Sequence, residues 1–252
     1  MRTVLRAKNK KMLNVHPRDA FISFEEKEHI YTVGAKRLTS VTTLISSHFS
    51  EFNASKIIDK MQSSPKWTSS KYYGMEKQEI IDLWEKNGEE ARNLGTLMHA
   101  QIEEFFLSGE KTLPEEKSPE FLQFLHFWKV FSTHNPGFRP YRMEWRVYSQ
   151  EIAGSIDCTL VSPGGDIVIV DWKRSKAIEK YSPFGRGKGP LSHLSDCNFV
   201  HYSLQLNSYR HILENFYDKR VSAMYLAVFH PLQDKYKFIE VPYMKEVEGL
   251  IK

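Results

Sequence analysis

Two runs rich in Ile, Val and Leu, Ile152–Val161 and Ile167–Lys173, are separated only by Ser162-Pro-Gly-Gly-Asp166. A Pro and paired Gly between β-favouring runs predict a turn, so the two runs read as neighbouring antiparallel strands. Side chains alternate along a strand, which sends Asp171 and Lys173 to one face and Val170 and Trp172 to the other. On the partner strand Ala153, Ser155, Asp157 and Thr159 form a small, polar face able to lie beside them. Two carboxylates held a few Å apart repel unless a cation sits between them, and hard oxygen ligands suit Mg²⁺ or Mn²⁺. Taken alone, the same residues equally describe a surface hairpin with solvated charges, so the rest of the chain must decide.

Upstream, Ala91, Leu94, Met98, Ile102 and Phe105 recur at helical spacing between about Glu89 and Leu107. Gly95, His99 and Glu103 stand at i, i+4 and i+8 of that helix, along one side next to the apolar stripe. A His and a Glu one turn apart can give an imidazole to a metal and a carboxylate to its surroundings. A lone helical His is also commonly a packed or surface residue, and Gly95 equally fits a close helix contact. Between helix and hairpin, Tyr141–Ser149 alternates, with Glu144, Arg146 and Tyr148 on one side and Met143, Trp145 and Val147 on the other. It reads as a strand bringing Glu144 to the hairpin. Downstream, Tyr202–Phe216 is helical, with Leu206, Ile212 or Leu213, and Phe216 as its buried side and with Gln205 and Tyr209 one turn apart.

In order, the chain carries G-T-x-x-H-x-x-I-E from Gly95 to Glu103, then Glu144, G-S-I-D ending at Asp157, D-W-K from Asp171 to Lys173, and Q-x-x-x-Y from Gln205 to Tyr209. This series resembles the PD-(D/E)XK nuclease superfamily, and within it the RecB-like exonuclease branch that includes the mitochondrial genome-maintenance type. The resemblance implies an α/β fold with a restriction-endonuclease-like core: a mixed, mostly antiparallel central sheet flanked by helices. It implies that His99, Asp157, Asp171 and the main-chain carbonyl of Trp172 hold Mg²⁺ or Mn²⁺. Lys173 would orient the attacking water and help deprotonate it, and Gln205 and Tyr209 would brace the lysine and the substrate phosphate. Glu103 and Glu144 match acidic positions of varied role, as candidates for a second metal or for supporting the first. No Pro-Asp pair is present; G-S-I-D stands in its place. The implied activity is metal-dependent hydrolysis of DNA, as an exonuclease preferring single-stranded ends. A structure-selective endonuclease using the same site and a catalytically silent nucleic-acid-binding module are the alternatives. Some members carry iron–sulfur clusters, but Cys158 and Cys197 are too few for a four-cysteine cluster, so none is expected here.

The chemistry fits these residue types. Phosphodiester hydrolysis builds negative charge on the phosphoryl oxygens, which a cation both polarises and supplies with an acidified water. A free lysine, with a pKa near 10.4, is a poor base at neutral pH. Burial and a nearby dication push Lys173 down while the carboxylates push it up, and the sequence leaves that balance open.

With 252 residues, 41% hydrophobic, the chain can bury a sizeable core, read as an N-terminal extension over 1–75 and a nuclease core over 76–252. The extension holds a hairpin of Phe21–Phe24 and His29–Val33, a helix capped at Thr39 or Ser40, and the stretch from Gln62 to Gly74. There Trp67, Tyr72 and Tyr73 alternate with Lys66 and Lys71, a mixture that either stacks unpaired bases or packs on the helix from Gln78 to Asn87. One long helix bent near Gly88, or two helices, would lead to His99. Glu120–Ser132 makes a further amphipathic helix, and Val221–His230 and Lys235–Val241 add strands to a sheet of about four or five. The connection after the hairpin carries Arg174, Lys176, Lys180, Arg186 and Lys188 among glycines, a composition suited to a phosphate backbone and also to a mobile loop. Net charge is only +4, which permits a local basic groove. No run of about eighteen apolar residues exists, so no membrane helix is expected, and the N-terminus has no secretory core, which makes an intracellular protein the expectation. Arg2, Arg6, Lys8, Lys10, Lys11 and Arg18 precede any acid, as a targeting segment, a nucleic-acid arm or a solvated tail.

Overall fold

The computed structural model of this protein describes residues 14–110, 113–183 and 185–251. The first five residues of the basic N-terminal series lie outside these. Three short strands, β1 (Ile22–Glu25), β2 (Ile30–Val33) and β3 (Lys36–Ser40), lead into α1 (Val41–Ser47), whose N-terminus is capped by the Ser40 hydroxyl accepting from the Thr43 amide. Then come α2 (Ala54–Gln62), the 31-residue α3 (Lys77–Leu107) and α4 (Pro119–His134), the last capped by Ser118 with Pro119 in its first turn. Strands β4 (Arg139–Tyr148), β5 (Ile152–Val161) and β6 (Ile167–Arg174) follow, then α5 (Asn198–Phe216), β7 (Val221–Phe229) and β8 (Lys237–Glu240).

Among the described residues eight strands form one sheet, in the order β1-β2-β3-β5-β6-β7-β8, with β4 on the other edge of β5. All pairings are antiparallel except β3 with β5 and β6 with β7. The fold is thus the expected α/β class with a mixed, mostly antiparallel sheet, broadened beyond four or five strands by the N-terminal hairpin. The extra junction is β3, which reads poorly as a strand because Lys36 and Arg37 leave it only Leu38 and Ser40 to bury. It joins β5 through Thr39 and Ser40 beside Ile152 and Ala153, with the Thr39 amide donating to the Glu151 carbonyl at 3.0 Å.

Alternation along β6 separates two cores. Ile167 and Ile169 pack with α1 and α5, while Val168, Val170 and Trp172 pack with α3 and α4. The second core is aromatic: the Trp172 ring is ringed by Phe106, Phe124, Phe127 and Phe229 at centroid distances of 5.6–6.4 Å. Helix α3 runs past Gly88 without a break. Met98, Ile102 and Phe105 are buried as the spacing predicts, whereas Ala91 is exposed and Leu94 only half-buried.

The expected single face of Met143, Trp145 and Val147 is divided. Met143 joins the α3–α4 core, and Trp145 and Val147 join the other. Glu144 between them has φ of 45°, in the left-handed region, which breaks the strand's alternation. A second irregularity lies between Pro140 and Arg142, where the Thr159 hydroxyl accepts from the Arg142 amide (3.1 Å) and donates to its carbonyl (3.0 Å). Thr159 is thereby consumed inside the sheet and Ala153 in the core, so the polar face expected on β5 reduces to Ser155 and Asp157. Arg18 is likewise not part of a loose arm: its guanidinium lies 3.8 Å from the Tyr148 ring centroid and donates to the Tyr148 carbonyl.

Because Thr159→Val keeps the shape but orphans two buried backbone groups of Arg142, it should cost about 1–3 kcal/mol in urea unfolding; an unchanged midpoint would show that the bulge does not rely on the hydroxyl.

Candidate metal centre at the strand fork

Strands β5 and β6 are hydrogen-bonded only from Cys158–Val161 to Ile167–Val170. Beyond that point they part. β3 takes the place beside Ile152 and Ala153, and β6 stays paired with β7 as far as Arg174. The opening exposes backbone that a regular ladder would have satisfied, and one carboxylate answers it: Asp157 Oδ2 accepts the Trp172 amide at 2.9 Å. Asp157 thus stands close enough to β6 for its charge to act on Asp171.

Helix α3 closes one side. His99 Nδ1 lies 3.6 Å from Asp157 Oδ2 and 3.9 Å from Glu144 Oε1. One ligand atom from each of His99, Glu144 and Asp157 falls within 4.8 Å of the others, the one such group among the described residues. Helix α5 closes the other side. Lys173 Nζ stands 2.7 Å from Asp171 Oδ2 and 3.5 Å from Gln205 Oε1, and Gln205 Nε2 donates to the Tyr209 hydroxyl at 3.2 Å. The Tyr202 ring lies under the same ammonium at 4.7 Å. Gly154 is what lets α5 approach, since a Cβ there would meet Tyr209 Cε1 at 2.7 Å.

Burial pushes the Asp171 carboxyl up to about 6, against the pull of Lys173. Asp157 is also raised by burial, an effect that His99, Lys173 and the Trp172 amide only partly oppose. Burial alone would lower His99, but the Asp157 and Glu144 carboxylates beside it outweigh burial and push the imidazole up to about 9. Lys173 resolves the balance that the sequence leaves open: burial lowers it, Asp171 and Asp157 outweigh that, and it is pushed up to about 12. Without a cation the fork thus holds an imidazolium and an ammonium against its acids.

The donor set fits a divalent cation. Asp171 is 1% exposed, and neither of its oxygens receives a well-directed hydrogen bond despite the nearby Lys173. Its one close partner is the Lys173 ammonium, which leaves the carboxylate's remaining acceptor capacity unused. His99, Asp157 and Glu144 converge as one imidazole and two carboxylates, the hard, mixed donors that Mg²⁺ and Mn²⁺ accept, with Asp171 outside that group on the neighbouring strand.

The other sequence-selected residues are distributed unevenly. Glu103 is half-buried one turn beyond His99, outside the converging trio. Gly95 is not a close contact, because a Cβ there would meet nothing within 4 Å. Arg174 does not present its charge for a ligand: continuing the alternation of Val170 and Trp172 turns it toward α4, where Nε pairs with Glu120 at 2.7 Å and both side chains are largely buried. Lys188 is fixed on the end of α1, its amide donating to the His48 carbonyl and its Nζ to that of Phe49. Arg186 bonds the His193 carbonyl while staying exposed, and Lys176 is exposed. In the aromatic segment the packing on α3 is seen for Tyr72. Tyr72 accepts from Trp84 Nε1 on α3 at 2.9 Å, and Trp67 meets Tyr73 edge-on, while Lys66, Lys71 and Tyr73 remain exposed.

No protein-family profile and no curated protein sequence matches the chain. Among solved structures, that of SSO0001 is 12% identical with a TM-score of 0.31, over 86% of this chain and 73% of that one. A protein from Eubacterium rectale provisionally named an exonuclease is 13% identical with a TM-score of 0.27, over 58% of this chain and 66% of its own. Likeness this slight assigns no function, and the chemistry of the fork must carry the reading. No helix among the described residues is long and apolar enough to cross a membrane.

Two outcomes follow from this geometry. Gly154→Ala should displace Tyr209 and loosen Gln205 from Lys173, costing about 1–3 kcal/mol by overpacking; a fully stable variant would mean that α5 can shift freely. For Asp171, the folded pKa near 6 exceeds the unfolded value of 3.8, so its contribution to stability is full below pH 3.8 and is lost as pH rises through 6. In EDTA, Asp171→Asn should therefore gain on the wild type between pH 4.5 and 7.5, by at most about 3 kcal/mol. A constant difference across that range would contradict the placement.

Proposed function

We propose that this protein is a metal-dependent nuclease of the PD-(D/E)XK superfamily, in its RecB-like branch, hydrolysing phosphodiester bonds of DNA from single-stranded ends. The observation that carries the reading is the convergence of His99, Glu144 and Asp157 ligand atoms within 4.8 Å of one another, beside the buried Asp171–Lys173 pair. The order of motifs along the chain agrees, and the choice of DNA and of single-stranded ends rests on that resemblance.

In this reading His99, Asp157, Asp171 and the Trp172 carbonyl hold Mg²⁺ or Mn²⁺, with Glu144 beside them. The ion, when bound, polarises the phosphoryl oxygens and acidifies a water. Lys173, an ammonium at neutral pH, serves as a donor that orients the water and offsets phosphate charge. The Gln205 carboxamide holds Nζ from behind, and Tyr209 fixes which way the amide faces, remaining a neutral phenol because burial raises it well above its usual value. Exposed Lys176, Arg186 and Lys66 are available to a strand approaching the fork.

The test is digestion of end-labelled linear single-stranded, linear duplex and circular single-stranded DNA with Mg²⁺, Mn²⁺ or EDTA. Linear single strands should be degraded only with a cation. Asp171→Ala or Lys173→Ala should lower the rate by at least about 10²–10³-fold while leaving folding and DNA binding largely intact. Gln205→Ala should cost less, about tenfold. Near-normal cleavage by the Asp171 variant would sink the site assignment, cutting of circles would make the enzyme an endonuclease, and binding without any cleavage would make the protein a nucleic-acid-binding module.

A further inference from the structure

Glu144 sits in the middle of β4 with a backbone that strands do not use, φ of 45°. The conformation turns the chain over, so that Met143 and Trp145 enter different cores. It also directs the Glu144 side chain at α3, with Oε1 3.9 Å from His99 Nδ1. The other oxygen is held: Ser155 Oγ donates to Oε2 at 2.9 Å. Ser155 lies opposite Arg146 in the β4–β5 register, a diagonal neighbour of Glu144 on the adjacent strand. One hydroxyl therefore engages one carboxylate oxygen and leaves the other toward His99 and Asp157.

We infer that Ser155 is a positioning residue that fixes Glu144 as a single-oxygen donor and thereby tunes the fork for a small octahedral cation over Ca²⁺. This rests on the fork being a cation site. Mg²⁺ demands near-ideal octahedral geometry with short bonds, and one-oxygen carboxylates suit it. Ca²⁺ takes more oxygens, often both from one carboxylate, an arrangement that the Ser155 hydrogen bond works against. Residues that orient a ligand from behind typically change metal affinity by about 10–100-fold when removed. The left-handed backbone and the hydroxyl act together, the first aiming the carboxylate and the second setting its rotation.

The inference is tested by isothermal titration of the whole protein, without DNA, with MgCl₂ and with CaCl₂. Ser155→Ala should weaken Mg²⁺ binding about tenfold and Ca²⁺ binding less, so that the preference narrows. Ser155→Thr, which keeps the hydroxyl, should restore it. In a Glu144→Ala background, Ser155→Ala should change nothing further, because its effect runs through that carboxylate. Unaltered Mg²⁺ affinity in Ser155→Ala, or an equal loss for both ions that persists without Glu144, would overturn the inference. Asp157→Asn separates the two levels. If the wild type binds Mg²⁺, Asp157→Asn abolishes it and Ser155→Ala does not matter, the inference alone fails; if the wild type binds neither ion, the cation site fails and the inference with it.

Discussion

The hydrogen bond from the Trp172 amide to Asp157 is the constraint on which the site depends. A sheet gains by continuing its ladder, and parting two strands leaves backbone groups to be satisfied by other means. Here a side chain does so, and the same side chain is one of the acids at the centre. Its second role follows from the first: a carboxylate that accepts an amide from the opposite strand cannot swing away, and it stands where β6 delivers Asp171. Trp172 secures the arrangement from below, its ring in the aromatic core fixing the peptide that donates.

Around this point charge is arranged in alternation. His99 and Lys173 flank Asp157 and Asp171, each cation paired with a different acid. Burial disfavours every one of these charges, and mutual attraction restores the two basic groups but not fully the acids, which stay above their ordinary values. The surplus is acidic, and a dication is the species that would remove it. The three elements supplying these groups belong to different layers, α3 from one core, α5 from the other and the forked strands between, so the site exists only when both cores are closed.

Much of this was legible in the residues. Period-two alternation placed Asp171 and Lys173 together, and helical spacing placed His99 beside its helix's apolar stripe and Gln205 one turn from Tyr209. Arg174 was legible too, since the alternation that buries Trp172 turns its neighbour but one toward α4, yet composition invited a reading as a loop cation. What escaped was whatever depends on broken regularity. Nothing in the residues of β4 announces that Glu144 takes a left-handed conformation, and hence that Met143 and Trp145 separate. The strand β3 escaped because its burial is supplied by β5 and not by its own pattern. Ser155 carried no signal apart from its place in G-S-I-D, because its role is defined by a diagonal contact that only the register reveals.

Helix α3 gives the site a mechanical property. At about 1.5 Å per residue its 31 residues make a rod about 46 Å long, gripped by the aromatic core from Met98 onward and at its far end by α2, where Ile80 is buried and Lys77 pairs with Asp59. His99 sits beside that grip, close to where such a rod would pivot. Because the helix is continuous through Gly88, a load on the far end is passed along as tilt and not absorbed by a hinge. The distance from the imidazole to Asp157 and Glu144 is therefore coupled to how α2 seats the far end of the helix, with His99 lying beyond the point where the second grip begins.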